Sequence, residues 1–249
     1  MKQVHIFTLV PRAFEWFVEQ HPVSTAITAG AVSISVHDIR EYSELPHHEV
    51  DDTPYGGGPG MVTRVDIVAA ALEGVFGQAA TQVRDTRDVY VLAASGRPFD
   101  HSLGVELAES EGRDLVLLCG RFEGFDSRVE SMLATASLSV GPYVLAGGEV
   151  AAQVVLETVV RHLPGALGNS GSVTEESFSE ELAGMVEYPH YTRPREFEGL
   201  GVPSVLLSGD HQAIARWRRE NARPSPWGLG VTQGSSAADG KETGRGEPR

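Results

Sequence analysis

The sequence predicts an α/β protein with a parallel sheet, and three observations lead to that prediction. Short, uniformly apolar runs alternate with helix-compatible segments. Three of these runs are followed directly by a glycine-containing loop. Strands that are apolar on both sides are typical of a parallel sheet covered by helices. Ligands of such sheets bind outside the carboxyl ends of the strands, so the loops predict a ligand crevice there.

The first predicted elements are two strands and a helix. Val4–Leu9 alternates as a strand does, and Ala31–Ile39 is the second strand. Residues 47–62 form a polar loop rich in Gly and Pro. Thr63 is expected to cap a helix that ends near Phe76.

The next three strands share one pattern, in which an apolar run ends in a glycine loop. The runs are Val89–Ala94, Leu115–Cys119 and Leu138–Val140, and the loops are 95–98, 120–124 and 141–148. A helix over Glu149–His162 follows the third loop, and its first N–H groups are open to a ligand. A tight turn explains any one loop, but three successive loops favour a small-molecule pocket.

The composition changes after this helix. Residues 163–180 are rich in Gly, Ser and Glu, and we predict a linker there. Residues 181–228 form a smaller predicted domain with a helix over His211–Asn221 that Asp210 caps. Residues 229–249 contain almost nothing that can pack, so we expect a disordered tail.

Several other classes of protein fit poorly. The single cysteine, Cys119, excludes an intrachain disulfide and a Cys-based zinc site. His47-His48 lacks partners at metal-ligand spacing, so we predict no metal site. The loop 55–61 departs from G-x-G-x-x-G at Met61, and no G-x-x-x-x-G-K-[ST] occurs. A nicotinamide or nucleoside-triphosphate enzyme is therefore not predicted.

The net charge bears on nucleic-acid binding, and the hydropathy pattern indicates a cytoplasmic protein. A net charge of −14 argues against a nonspecific nucleic-acid binder. Residues 190–223 nevertheless carry six Arg against four acidic residues, so this end can bind RNA locally. No stretch approaches the roughly 18 apolar residues of a membrane helix, and residues 1–30 lack a signal-peptide pattern.

Five motifs, in order, resemble those of the bacterial tRNA (guanine37-N1)-methyltransferases. They are Asp51–Met61, Cys119–Val129, Val140–Glu149, Pro189–Pro194 and Pro203–His211. The resemblance covers roughly residues 4–220. It implies a SPOUT fold, an α/β parallel sheet with a deep trefoil knot, in a catalytic domain over residues 1–162. It also implies a small α-helical domain that binds tRNA over residues 181–228, and an obligate homodimer.

The resemblance further implies that S-adenosylmethionine binds in the knot, held mostly by backbone groups. The sequence does not indicate whether Mg²⁺ assists. Carried onto this chain, the cofactor contacts are Val91, Leu92, Ala93, Gly120, Phe122, Glu123, Val140, Gly141, Pro142, Tyr143, Val144, Leu145, Gly147 and Gly148.

The implied reaction is methyl transfer to N1 of guanine 37, from which a base must remove the proton. Arg161 matches the arginine that stabilises charge on the guanine O6. The base position carries Glu176, where the family has Asp. The two acids have similar reference pKa values, about 3.9 and 4.3, but an extra methylene moves the carboxylate by about 1 Å. We expect Glu176 to act as the base.

The resemblance assigns tRNA recognition to His190, Tyr191, Arg193 and Arg216, since aromatic and Arg side chains suit splayed bases and loop phosphates. Other departures are Ala93-Ala94 for Ser-Pro, Phe122 for Tyr and Pro142 for Asp. After Trp227 the chain lacks the family's last helical segment.

Two alternatives stay open. One is a paralogue that methylates another RNA or another guanine, which the altered base and shortened end would fit. The other is an RNA-binding protein that has lost catalysis, against which stand the retained Arg161, the carboxylate at Glu176 and all three loops.

Overall fold

The computed structural model describes residues 1–167 and 176–227. The chain divides into two compact units, Met1–Val173 and Thr174–Arg249. The division falls within the segment 163–180, for which a linker was predicted. The predicted tail over 229–249 lies outside the described residues.

The first unit is built on a five-stranded sheet in the order β2-β1-β6-β5-β7. Every pairing in it is parallel, which confirms the predicted α/β class. The strands are β1 (Lys2–Thr8), β2 (Val32–Asp38), β5 (Asp88–Pro98), β6 (Leu115–Cys119) and β7 (Ala136–Ser139). A separate antiparallel pair joins β3 (Asp51–Asp52) to β4 (Val62–Thr63).

Helices cover both faces of this sheet. They are α1 (Glu15–Val18), α2 (Val23–Thr28), α3 (Val65–Phe76), α4 (Ala80–Thr86), α5 (His101–Glu109) and α6 (Glu149–Arg161). Helices α2, α5 and α6 pack on one face and α3 and α4 on the other. Strand β6 is wholly buried because its side chains alternate between these two cores. This burial explains the uninterrupted apolar run in the sequence.

Two sequence predictions about local structure are wrong. Residues 95–98 do not form a loop but extend β5, where Arg97 pairs with Leu138 after a register shift. A Cβ at Gly96 would lie 2.6 Å from the backbone of Leu138, so only glycine permits this approach. Thr63 does not cap α3, because it lies in β4 and its N–H donates to the Gly124 carbonyl.

The chain crosses the carboxyl edge of the sheet between β7 and α6. Strand β7 lies outside β5, and β5 separates it from β6. Helix α6 nevertheless begins against the end of β6, since the Gly148 N–H donates to the Gly120 carbonyl at 2.9 Å. A Cβ at Gly148 would lie 2.8 Å from the Cys119 Cα. The backbones are therefore in contact where the two loops meet.

The second unit has less regular structure over its described residues. Strands β8 (Glu196–Phe197) and β9 (Leu200–Gly201) form a short hairpin. Helix α7 (His211–Asn221) follows a 3-10 turn at Ser204–Leu207. Asp210 caps α7 as predicted, because its carboxylate accepts from Gln212 N and Ala213 N. Within residues 176–227, α7 is the one α-helix.

None of the helices among the described residues combines the length and apolar character needed to span a membrane.

Two histidines on adjacent strands form a pair at one side of the sheet. His5 Nδ1 lies 3.1 Å from His37 Nε2, and the rings are stacked. Phe76 contacts the edge of His5, and Phe7 lies beside His37. Burial, and then the neighbouring His5, lower the pKa of His37 from 6.5 to about 4. Burial likewise lowers the pKa of His5.

We expect this pair to make the protein less stable in mild acid. The unfolded chain takes up a proton on His37 near pH 6.5, whereas the folded chain holds it neutral down to about 4. The free energy of unfolding should therefore fall as the pH drops through this window. Urea titrations at about pH 7 and about pH 5 measure it, with His37→Gln as the control. If His37→Gln loses as much free energy of unfolding as the wild type between about pH 7 and about pH 5, His37 is not the source of the acid sensitivity.

Candidate active site

A cleft of about 470 Å³ opens at the carboxyl edge of the sheet in the first unit. The ends of β5, β6 and β7 and the start of α6 form its walls. It is lined by residues 91–95, 120–127, 138–141, 143–145 and 147–148, with Glu130 and Ala151. Every predicted cofactor contact lies among these residues except Pro142. The binding of the cofactor itself stays a prediction.

The loop after β6 is held in place by the segment that ends the glycine-rich loop 47–62. Glu123 N donates to the Met61 carbonyl at 3.1 Å, and Thr63 N donates to the Gly124 carbonyl at 2.9 Å. Phe122 has a φ of 57°, an uncommon conformation for a side chain of this size. The first and second sequence motifs therefore meet at one wall of the cleft.

The loop after β7 presents apolar side chains to the solvent. The Tyr143 hydroxyl donates to the Val140 carbonyl at 2.9 Å, which closes the loop into a turn. Val144 is 89% exposed, and Leu145 is also exposed. Exposed apolar groups beside a cleft are typical of a surface that a ligand or partner covers.

The charged residues that line the cleft are mainly acidic. They comprise Glu123, Asp126 and Glu130 against a single cation, Arg121. The Arg128 guanidinium, which donates to both Asp126 oxygens at 2.8 and 2.7 Å, lowers the pKa of that carboxyl to about 2. Asp126 is therefore ionised at neutral pH with its charge paired to Arg128, and Glu123 and Glu130 are the acidic residues of the lining that favour a ligand with positive charge.

The two proposed catalytic residues belong to different units. Arg161 is the last residue of α6 and is half-buried. Glu176 opens the described part of the second unit. The residues that follow it are tied down, since Ser177 N donates to Glu187 Oε1 at 3.0 Å and Phe178 N donates to the Met185 carbonyl at 2.8 Å.

The second unit brings Tyr191, one of the predicted tRNA contacts, beside α7. Tyr191 lies 6.3 Å from Trp217 of α7, between ring centroids, and is 50% exposed. His190 Nε2 lies 2.6 Å from Glu187 Oε2. Arg193 and Arg216 are both exposed.

Sequence reasoning missed part of this surface and part of the cleft. Tyr188 packs on Trp217, and the Arg218 guanidinium lies 5.0 Å from the Tyr188 ring centroid. Asp126 and Arg121 line the cleft, although neither was predicted to bind the cofactor. Both stand in the second motif, which was the available indication.

A parallel sheet covered by helices, with a small-molecule cleft at the carboxyl ends of three strands, is typical of α/β enzymes. The family model described as tRNA (Guanine-1)-methyltransferase TrmD matches residues 1–226. The chain therefore belongs to this family, which confirms the resemblance found in the sequence.

Curated relatives agree with the family model. The chain is 44% identical over 217 residues to a protein of Geobacter sulfurreducens, covering 87% of this chain and 84% of that one. It is 46% identical over 217 residues to one of Thermus thermophilus (87% and 85%). It is 45% identical over 219 residues to one of Rhodopirellula baltica (88% and 88%). All three are named tRNA (guanine-N(1)-)-methyltransferase.

Proposed function

We propose that the protein methylates N1 of guanosine at position 37 of tRNA, in the anticodon loop, with S-adenosylmethionine as the methyl donor, and so maintains the reading frame. The observation that carries this proposal is the cleft, where the motifs around Gly120 and Gly148 meet in a chain of this family. Its place of action is the cytoplasm, where the substrate tRNA is found.

The cleft fits S-adenosylmethionine in size and in charge. Its volume of about 470 Å³ is that of a small-molecule site. The backbone of Gly147 and Gly148 lines the cleft, and Glu123 and Glu130 suit a molecule with a sulfonium and an ammonium group. When bound, the cofactor supplies a methyl group on a positively charged sulfur.

The protein's part in the reaction is to move a proton and to balance charge. The bound cofactor would supply the methyl group, and guanine N1 would have to lose its proton to accept it. The Glu176 carboxylate takes the N1 proton, and the Arg161 guanidinium donates to O6.

The chain path supports a knot in the first unit. After β7 the chain returns across the end of β5 to start α6 at Gly148, against Cys119 and Gly120 of β6. Threading of this kind is the topology that the family's trefoil knot requires.

A homodimer accounts for the position of Arg161. Gly148 lines the cleft at one end of α6 and Arg161 ends it. At about 1.5 Å per residue, the two lie about 20 Å apart along the axis. Val150 and Val154, on one face of α6, are 56% and 45% exposed. A second copy that covers this face would bring its own residues to the cleft.

The second unit is the proposed tRNA-binding domain. Tyr191 offers a ring for stacking, and Arg193 and Arg216 offer charge to phosphates. A paralogue with another RNA target is the second candidate, favoured by Glu176 at the position where the family has Asp.

The first prediction concerns the substrate and the base. Methyl transfer from labelled S-adenosylmethionine should require guanosine at position 37 and fail with adenosine there. Glu176→Gln should lower kcat by about 10² or more, because the amide cannot accept the proton, while Glu176→Asp stays active. Unchanged turnover in Glu176→Gln would remove Glu176 from its role. Transfer that ignores position 37 would favour the paralogue.

The second prediction concerns the dimer. Gly120→Val should fill the cleft and Glu176→Gln should remove the base, so each variant alone is inactive. Co-expressed in equal amounts, they should recover about a quarter of wild-type activity, because half of the dimers then hold one intact composite site. No recovery in dimers shown by mass to be mixed would mean that each site is built within one chain.

The third prediction concerns tRNA binding. Tyr191→Ala and Arg216→Ala should raise the KM for tRNA about fivefold or more and leave the affinity for the cofactor unchanged, since stacking and phosphate contacts act on RNA alone. Arg216→Ala should also flatten the salt dependence of binding. The control is Arg40→Ala, an exposed arginine of the first unit. An equal effect of the control would contradict the assignment.

A further inference from the structure

A buried carboxylate lies just behind the cleft and has no part in the reaction above. Glu149 is the first residue of α6, and only 4% of it is exposed. Its Oε1 accepts from the Thr8 hydroxyl at 2.8 Å, and its Oε2 accepts from Arg121 Nη1 at 3.2 Å. Burying a carboxylate is costly unless it is paired and hydrogen-bonded, and Glu149 has both kinds of partner.

The three residues connect separate parts of the fold. Thr8 ends β1, Arg121 follows β6, and Glu149 begins α6. Arg121 lines the cleft, whereas neither Thr8 nor Glu149 does. Contact between Glu149 and a ligand in the cleft is therefore indirect, through Arg121 or through the backbone next to it.

The pair lies where the two loops that form the cleft wall touch. Arg121 and Gly147 form an antiparallel backbone bridge, and Gly148 N donates to the Gly120 carbonyl. A Cβ at Gly147 would lie 3.0 Å from Arg121 Nη1, so the guanidinium packs directly on the glycine turn. Among residues 1–167, Glu149 is the acidic partner of Arg121. The charge of Glu149 thus holds the guanidinium against this turn.

We propose that Glu149 is a positioning residue for cofactor binding. It fixes the Arg121 side chain, and with it the loop 120–124, against Gly147 and Gly148, and the Thr8 hydroxyl orients the Glu149 carboxylate. The inference rests on the proposed use of S-adenosylmethionine, and it adds residues outside the cleft that set the affinity for it. A purely structural ion pair would change the melting temperature but not this affinity.

The test measures the Kd of S-adenosylmethionine by calorimetry, without tRNA. Glu149→Gln keeps the side-chain volume and removes the charge, and it should raise the Kd about tenfold. Because Glu149 acts through Arg121, adding Glu149→Gln to Arg121→Met should raise the Kd no further. Additive effects of the two substitutions would overturn the proposal.

Thr8 provides a second test that leaves the ion pair in place. Thr8→Val removes the hydrogen bond to Glu149 together with the one that the Thr8 hydroxyl accepts from Val10 N, and it should raise the Kd about threefold. Thr8→Ser retains the hydroxyl and both bonds, and it should bind as the wild type does. Equal binding by the Val and Ser variants would overturn the role of Thr8. This comparison also carries the test if Glu149→Gln does not fold.

The matched control is the ion pair between Asp88 and Arg113, 2.7 Å apart, at the opposite end of β5. Asp88→Asn should lower the melting temperature and leave the Kd unchanged. A Kd raised as much by Asp88→Asn as by Glu149→Gln would show general loosening and overturn the proposal. If the wild-type protein binds the cofactor and Glu149→Gln leaves the Kd unchanged, this inference alone is overturned. Wild-type protein that binds no cofactor defeats the proposed function and this inference together.

Discussion

The structure of the first unit depends on the backbone contact between Gly148 and Gly120. Their N–H···O=C bond of 2.9 Å joins the start of α6 to the end of β6. Strand β7 precedes α6 in the chain, and β5 separates β7 from β6 in the sheet. A Cβ at Gly148 would lie 2.8 Å from the Cys119 Cα, so glycine is needed for this approach. The cleft, its glycine wall and the burial of Glu149 all follow from it.

The fold was predictable as far as local patterns determine it. The apolar run Leu115–Cys119 is a strand buried on both faces, and its alternation between two cores explains why no polar residue interrupts it. The extension of β5 was not predictable from its sequence. Ser95–Pro98 contains Gly and Pro, which favour a turn, but Arg97 pairs with Leu138 forty-one positions away. A long-range pairing here overrides the local preference.

The candidate site, like the fold, was predictable only in part from the sequence. The glycine loops predicted after three strands indicated a pocket, because the ends of parallel strands meet at one edge of the sheet. Two of these loops form walls of the cleft, whereas residues 95–98 extend β5 instead. The contact between Thr8 and Glu149 joins residues 141 positions apart, and no spacing in the sequence indicates it. The assignments of Arg161 and Glu176 came from resemblance alone, because a lone arginine at a helix end and a glutamate in a polar segment have ordinary structural explanations.

The backbone around Glu176 bears on how a longer acid can serve as the proposed base. Ser177 N is held by Glu187 and Phe178 N by the Met185 carbonyl, and the Glu187 N–H donates in turn to the Ser177 hydroxyl at 3.1 Å. These bonds fix the chain immediately after Glu176. The extra methylene relative to Asp must then be accommodated mainly by side-chain rotation about staggered minima, because the backbone on this side has little freedom to retreat. Positioning of the carboxylate is therefore a matter of rotamer choice, and hydrogen bonding at Glu187 becomes part of the geometry of the proposed base.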